Sequence, residues 1–275
     1  MGVTVNMKKR IRNILIAIIS FTGISFLYRM KMRKAGPLVR VLCLHDVPDK
    51  AWFSLLVNTV YQNYNVISPQ DFIEKKFDTN KINILLTFDD GYQSWVDVAL
   101  PVLKEKGIDA LFFVNSGLVD TYGNAEEQEA YVRNGLKLSR ERKTLSWEGV
   151  KQLDYSGHTI GGHTSSHKAL STISQEQQVH AEVSKDKKHI EVHVGHQIDL
   201  FAYPFGRKSD YNEKVTEIIK NTGYSYAFTT EAKFYTGTEN AYTIPRLCLE
   251  ETLTAKQICQ WVDGGYDIVN AFNIS

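Results

Sequence analysis

The feature that most restricts this chain is a repeated alternation of short apolar runs with stretches of helical periodicity. The runs are Val39 to His45, Ile84 to Asp89, Ala110 to Asn115, His158 to Gly162, Leu200 to Tyr203, Tyr226 to Thr229 and Thr243 to Leu249. Predicted helices between and after them cover Trp52 to Asn63, Tyr92 to Glu105, Ser146 to Tyr155, Gln175 to Val194, Tyr211 to Asn221 and Thr254 to Asp263. Gly107, Gly157 and Gly223 follow three of the helical patterns as C-terminal stops, and Ser174 with Gln177 reads as a capping box. Strands separated by helices pair in parallel through crossovers, so the chain is predicted to be α/β. Seven or eight such repeats in one domain suggest a distorted (β/α)7-8 barrel, with a doubly wound open sheet as the alternative. The one long connection, Leu118 to Lys143, is polar and is either a functional rim or a disordered insertion. No Gly-rich phosphate loop follows any strand, which argues against nucleotide chemistry.

Sheets of this kind keep their sites at strand ends. One run ends in Asp89-Asp90-Gly91, an acidic pair that is also an ordinary turn and helix-cap sequence. Adjacent carboxylates point in different directions, so one can bind a cation while the other faces a substrate. Another run ends in Gly161-Gly162-His163-Thr164-Ser165-Ser166-His167, whose histidines share a face if the stretch is one helical turn. Neutral imidazoles suit a divalent ion, and Asp90 would complete a three-ligand set.

Three segments together, Thr87-Phe88-Asp89-Asp90-Gly91, His163 to His167 and Phe201-Ala202-Tyr203-Pro204-Phe205-Gly206, resemble the first three motifs of the polysaccharide deacetylases, carbohydrate esterases with a NodB homology domain. The resemblance covers roughly residues 38 to 265 and implies a distorted (β/α) barrel that removes acetyl groups from N-acetylglucosamine units of a cell-surface polysaccharide. It implies Asp89 as catalytic base and Asp90, His163 and His167 as ligands of a divalent metal, Zn²⁺ by default with Co²⁺, Ni²⁺ or Mn²⁺ compatible. Tyr203, Pro204, Phe205 and Gly206 would contact substrate, with the Phe205 N–H at the developing oxyanion. The family's late catalytic histidine has no counterpart, since none follows His196. His45, in Leu42-Cys43-Leu44-His45-Asp46-Val47, resembles the early histidine of the poly-N-acetylglucosamine deacetylase branch and would act as the acid; the alternative is a structural histidine. Phe201 stands where the family has an arginine, and Arg246 is expected to restore that charge beside Asp89, so that Arg246→Ala would cut turnover without unfolding the protein. The other reading of Arg246 is a surface ion pair. The competing functions are a metal-dependent amidohydrolase or O-deacetylase on another acylated substrate, and a non-catalytic glycan-binding protein on the same fold.

The N-terminus reads differently. Residues 1–12 form a basic tail, 13–28 an uncharged apolar segment and 29–37 a basic linker ahead of a domain over 38–275. As a helix the sixteen residues from Asn13 to Tyr28 would span roughly 24 Å against a hydrocarbon core of about 30 Å. Arg12 and Arg29 can snorkel, and the run lacks an A-x-A-like end, so a retained single-pass membrane anchor is expected over a cleaved signal, with the body outside the cell. The first 40 residues hold nine of the 32 Lys and Arg and none of the 31 Asp and Glu, which leaves 23 bases against 31 acids in the body, near −8. A basic tail on an acidic body argues against a nucleic-acid partner. Cys43, Cys248 and Cys259, an odd number without a C-x-x-C pair, predict neither a disulfide framework nor a cysteine metal site. His158 is read as structural, His180, His189, His193 and His196 as a solvated helix face, and Tyr92, Trp95 and Trp147 as packing residues before sugar platforms.

Overall fold

The computed structural model describes residues 2–138 and 142–272. Met1 of the basic tail, residues 139–141 of the long connection and the last three residues of the domain lie outside the described residues. The strands are β1 (Val39–Leu44), β2 (Asn65–Val66), β3 (Asn83–Asp90), β4 (Leu111–Val114), β5 (Thr159–Gly162), β6 (Leu200–Ala202), β7 (Tyr226–Phe228) and β8 (Leu247–Cys248). They form one parallel ladder in the order β7-β6-β5-β4-β3-β1-β8, with β2 pairing only with the start of β3. Six of the seven apolar runs are thus strands over most of their length, and the seventh, 243–249, is a strand only at Leu247–Cys248. They are legible because a parallel sheet is covered on both faces, so β1 and β3 are buried at every position.

The ladder is an open half-barrel between β7 and β8, and the 243–249 run crosses that gap. Ile244 accepts from the Thr229 N–H (2.8 Å) and donates to the Ala227 carbonyl (2.9 Å), while Leu247 and Cys248 pair with β1. Side chains alternate along each strand. Val41, Leu85, Phe113, Phe228 and Ile244 fill the interior of the curved sheet, whereas Leu42, Leu86, Phe88 and Phe112 pack outward against the helices.

The helices are α1 (Gly2–Phe21), α2 (Ile24–Met32), α3 (Lys50–Asn63), α4 (Pro69–Ile73), α5 (Leu100–Lys106), α6 (Ser116–Val119), α7 (Ala125–Asn134), α8 (Trp147–Tyr155), α9 (Glu176–Val194), α10 (Glu213–Asn221), α11 (Ala255–Val262) and α12 (Gly265–Ala271). The box predicted at Ser174 and Gln177 does not form, because α9 begins after Gln175 with no side-chain cap; boxes occur instead at Ser68/Asp71 and Thr254/Gln257. The helix predicted from Tyr92 is regular only from Leu100. Pro101 has no N–H to give the Asp97 carbonyl, and Trp95–Ala99 takes the wider π-turn.

The apolar N-terminal segment is not the single helix expected over 13–28. It breaks at Thr22-Gly23, where Gly23 has φ 78°, and α1 and α2 meet at 75°. No single helix among the described residues is long and apolar enough to cross a membrane. One face of the pair is packed on the domain. Ile16 is buried, Arg12 bonds Glu250 (3.0 Å) with its guanidinium 4.8 Å from the Trp261 ring, and Tyr28 donates to Asp267 (3.2 Å).

Candidate active site

Residues 43, 87 and 89 share the interior parity of β1 and β3, and Arg246 enters the same space from the segment that closes the sheet. Arg246 is fully buried and grips Asp89 with two bonds, Nη1 to Oδ1 at 2.6 Å and Nη2 to Oδ2 at 2.7 Å. Its remaining donors reach the Thr229 carbonyl (2.9 Å) and Thr87 Oγ1 (3.2 Å). Arg246 is therefore a buried ion pair and not the surface one of the alternative reading. Burial alone would raise the Asp89 pKa, but the guanidinium outweighs it and holds the carboxyl below its usual range.

Strand alternation would send Asp90 to the opposite face. A φ of 90° at Asp90 turns the chain instead, so both acids serve one cleft. Among the described residues only six non-glycine positions have positive φ, and four of them, Asp90, Thr164, His167 and Phe205, are in the motifs, which places backbone strain at the site. His163 and His167 do not share a helical turn as expected. They converge from an irregular turn after β5 whose strained corners are Thr164 (φ 65°) and His167 (φ 51°).

The donor set fits a divalent ion. The Tyr92 hydroxyl occupies Asp90 Oδ2 (2.7 Å), while buried Oδ1 has no hydrogen-bond partner among the described residues. His163 Nδ1 lies 2.8 Å from the Ala202 carbonyl, which can only accept, so its Nε2 presents a lone pair to Asp90 Oδ1 at 3.5 Å. His167 Nε2 is 3.3 Å from the same oxygen. Ligands about 2.0–2.1 Å from a tetrahedral ion stand about 3.3 Å apart, so these separations suit a cation between groups that would otherwise repel.

A buried scaffold that sequence reasoning missed holds the histidine turn. Asp186 of α9 accepts the N–H of His163 and of Ser116, both at 3.0 Å, and burial raises its pKa to about 6. Asn115 donates to the Thr164 carbonyl (2.8 Å) and accepts from the Tyr131 hydroxyl (2.6 Å). The Gly161-Gly162 pair was the available signal. A Cβ on Gly162 would lie 2.1 Å from Tyr224 Oη and 3.0 Å from Asp186 Oδ2. Gly162→Ala is accordingly expected to cost about 1–3 kcal/mol in denaturant unfolding, and an unchanged midpoint would mean that this packing yields freely.

The cleft encloses about 310 Å³, and its lining includes His45, Asp89, Asp90, His163, His167 and Phe205. His45 is exposed at the end of β1, and its ring lies within 4.8 Å of the ligand atoms of Asp89 and Cys43. Cys43, which the sequence places only in an apolar run, puts its thiol 3.6 Å from Asp89 Oδ2, two positions before His45. Of the Tyr203-Pro204-Phe205-Gly206 turn, Phe205 alone lines the cleft. Tyr203 is buried, stacks on Tyr211 and donates its hydroxyl to the Tyr242 carbonyl (3.1 Å). The long connection is a rim, since Leu136, Leu138 and Arg142 line the cleft and Arg142 pairs with Asp46 (2.6 Å). Trp95 is core, and Trp147 bonds Asp120 away from the cleft lining.

A family profile described as polysaccharide deacetylase matches residues 76–227. YxkH of Bacillus subtilis (strain 168), which carries the same family description, is 28% identical over 164 residues, 60% of this chain and 50% of its own. A poly-beta-1,6-N-acetyl-D-glucosamine N-deacetylase of Staphylococcus aureus (strain MSSA476) is 24% identical over 196 residues, 71% of this chain and 64% of the relative. The chain thus spans less than two thirds of the length of these curated relatives. Among solved structures, the Streptococcus pyogenes deacetylase PplD in complex with acetate superposes with a TM-score of 0.67 at 19% identity, covering 82% of this chain and 99% of that one. IcaB from Ammonifex degensii gives 0.66 at 24%, covering 83% and 98%. These structures share the fold.

Proposed function

The chain belongs to the polysaccharide deacetylase family, and from that premise we propose that it is a metal-dependent N-deacetylase acting on N-acetylglucosamine units of a cell-surface polysaccharide. The observation that carries this reading is the convergence, in one buried cleft, of an arginine-locked carboxylate with a second carboxylate faced by two imidazoles. A divalent ion held by Asp90, His163 and His167 would supply Lewis-acid polarisation of the amide carbonyl and a lowered pKa for water.

The chain's own groups account for the proton transfers. Asp89, kept ionised by Arg246, has lone pairs beyond those the guanidinium occupies, and takes a proton from the attacking water. The Phe205 N–H faces the developing oxyanion, a contact worth roughly 3–4 kcal/mol in comparable sites. His45 gives its proton to the departing sugar amine, which as an unprotonated anion would be a very poor leaving group. Acetate and a glucosamine unit result.

The test is acetate release from N-acetylglucosamine oligomers by the full chain, before and after chelation and with Zn²⁺, Co²⁺, Ni²⁺ or Mn²⁺ returned. Activity lost on chelation and regained with a divalent ion supports the proposal. Release confined to O-acetylated glycans, or binding without release, refutes it.

A further inference from the structure

We propose that the α1–α2 pair lies flat on an anionic lipid bilayer and seats the domain on the membrane surface without crossing it. The expected span is interrupted in space as well as by charge. The uncharged part of α1, Asn13 to Phe21, extends only about 13 Å, and α2 carries Arg29 and Lys31, so neither arm reaches across about 30 Å of hydrocarbon.

The pair is apolar on two faces. Ile16 is buried against the domain, while Met7, Ile11, Ile14, Ile18 and Phe21, at alternating spacings of four and three, form an exposed stripe on α1. Phe26, Leu27 and Met30 continue it on α2. Of the fifteen exposed large apolar residues among those described, nine fall between Met7 and Met30; the other six are scattered, so this is a patch rather than background. Phe21, at the corner, is 93% exposed.

Charge selects the occupant. Lys8, Lys9 and Arg10 are exposed at one end of the stripe, with Lys31 and Lys34 at the other, and no acid occurs before Asp46. A second copy pairing through this face would oppose bases to bases, whereas an anionic bilayer complements both the apolar stripe and its rim. Arg12 and Arg29 turn inward to Glu250 and Asp263, which fixes the pair to the domain rather than leaving it a free tail. Beside α1 a cavity of about 720 Å³ is lined by Lys9, Arg10 and Lys256 with Asn13, whose buried Oδ1 has no partner among the described residues; it has room for a lipid headgroup. Glu250, which holds α1, precedes Glu251 at the catalytic cleft, so the seat would bring the mouth of the cleft close to the lipid surface.

The experiment is flotation of the full chain with vesicles of phosphatidylcholine alone or mixed with phosphatidylglycerol. Binding to the mixed vesicles, falling about tenfold or more with high salt or in Lys8→Glu/Lys31→Glu, is expected. Phe21→Asp/Leu27→Asp should abolish flotation while thermal unfolding and acetate release in solution stay unchanged. In Lys8→Cys and Lys34→Cys variants bound to vesicles, a membrane-impermeant maleimide added outside should modify both positions, read by peptide mass. Protection of Lys8→Cys alone means a spanning anchor and overturns the proposal. Equal flotation on phosphatidylcholine, or a dimer in solution that ignores vesicles, overturns it as well.

Discussion

Arg246→Ala is expected to lower folding stability by about 3–5 kcal/mol and to reduce turnover with it. The cost comes from what is left behind. Asp89 and Arg246 are both buried, and removing the guanidinium strands a carboxylate whose only other side-chain hydrogen-bond partner among the described residues is the Cys43 thiol at 3.6 Å. The pH dependence has a definite sign. Burial pushes the Asp89 pKa up and Arg246 more than offsets this, so the folded value is below the unfolded value of about 3.9. The pair's contribution is therefore present above the unfolded value and is lost as pH falls through the folded one. The stability gap between wild type and variant should be full at neutral pH and shrink in acid. With the guanidinium gone and only the imidazoles of His163 and His45 left to oppose burial, the acidic limb of the variant's pH–rate profile should move upward. Arg246→Lys, a point charge without the fork that reaches both Asp89 oxygens and Thr87, should recover only part of either quantity. Urea unfolding at neutral and acidic pH measures this, and equal midpoints at neutral pH would sink it.

How far the sequence discloses this site depends on what each residue's role requires of its neighbours. The alternation of runs is readable because a covered parallel strand must be apolar throughout, and Asp89, Asp90, His163 and His167 are readable because strand ends expose their side chains to one cleft. Arg246 is not readable as a buried group. It stands in an irregular segment that closes the half-barrel, and only closure makes position 246 interior. Asp186 is hidden for a similar reason, as the one fully buried charge on a helix whose other charged residues are at least partly exposed. The histidine spacing suggests a helical turn because i and i+4 coincide on a helix, yet positive φ at Thr164 and His167 achieves the same convergence at the cost of strain. Tyr203 illustrates the limit of motif adjacency, since one residue's parity sends it into the packing while Phe205, two positions on and past a strained corner, faces the cleft. The N-terminal break follows from Gly23, a residue that an apolar count passes over but that carries the left-handed turn between two helices.

The two groups assigned to proton transfer separate by leaving group. Asp89→Asn should reduce acetate release from N-acetylglucosamine oligomers by about 100- to 10,000-fold, the usual range for losing a positioned base. Asparagine keeps an oxygen for Arg246 but cannot take up the water's proton, so the loss should extend equally to nitrophenyl acetate, whose hydrolysis needs the same activated water. His45→Gln should slow the amide substrate by a similar factor and spare nitrophenyl acetate, because nitrophenolate departs without a proton whereas a sugar amine does not. His45 lies exposed at the end of β1, so neither loss of the imidazole nor its replacement disturbs buried packing. Unfolding of His45→Gln should match wild type, which leaves a selective change in turnover attributable to chemistry. If His45→Gln slows both substrates alike, the imidazole serves the attack rather than the departure. If it slows neither, the proton for the amine comes from elsewhere, and the early histidine is only a surface residue at a strand end.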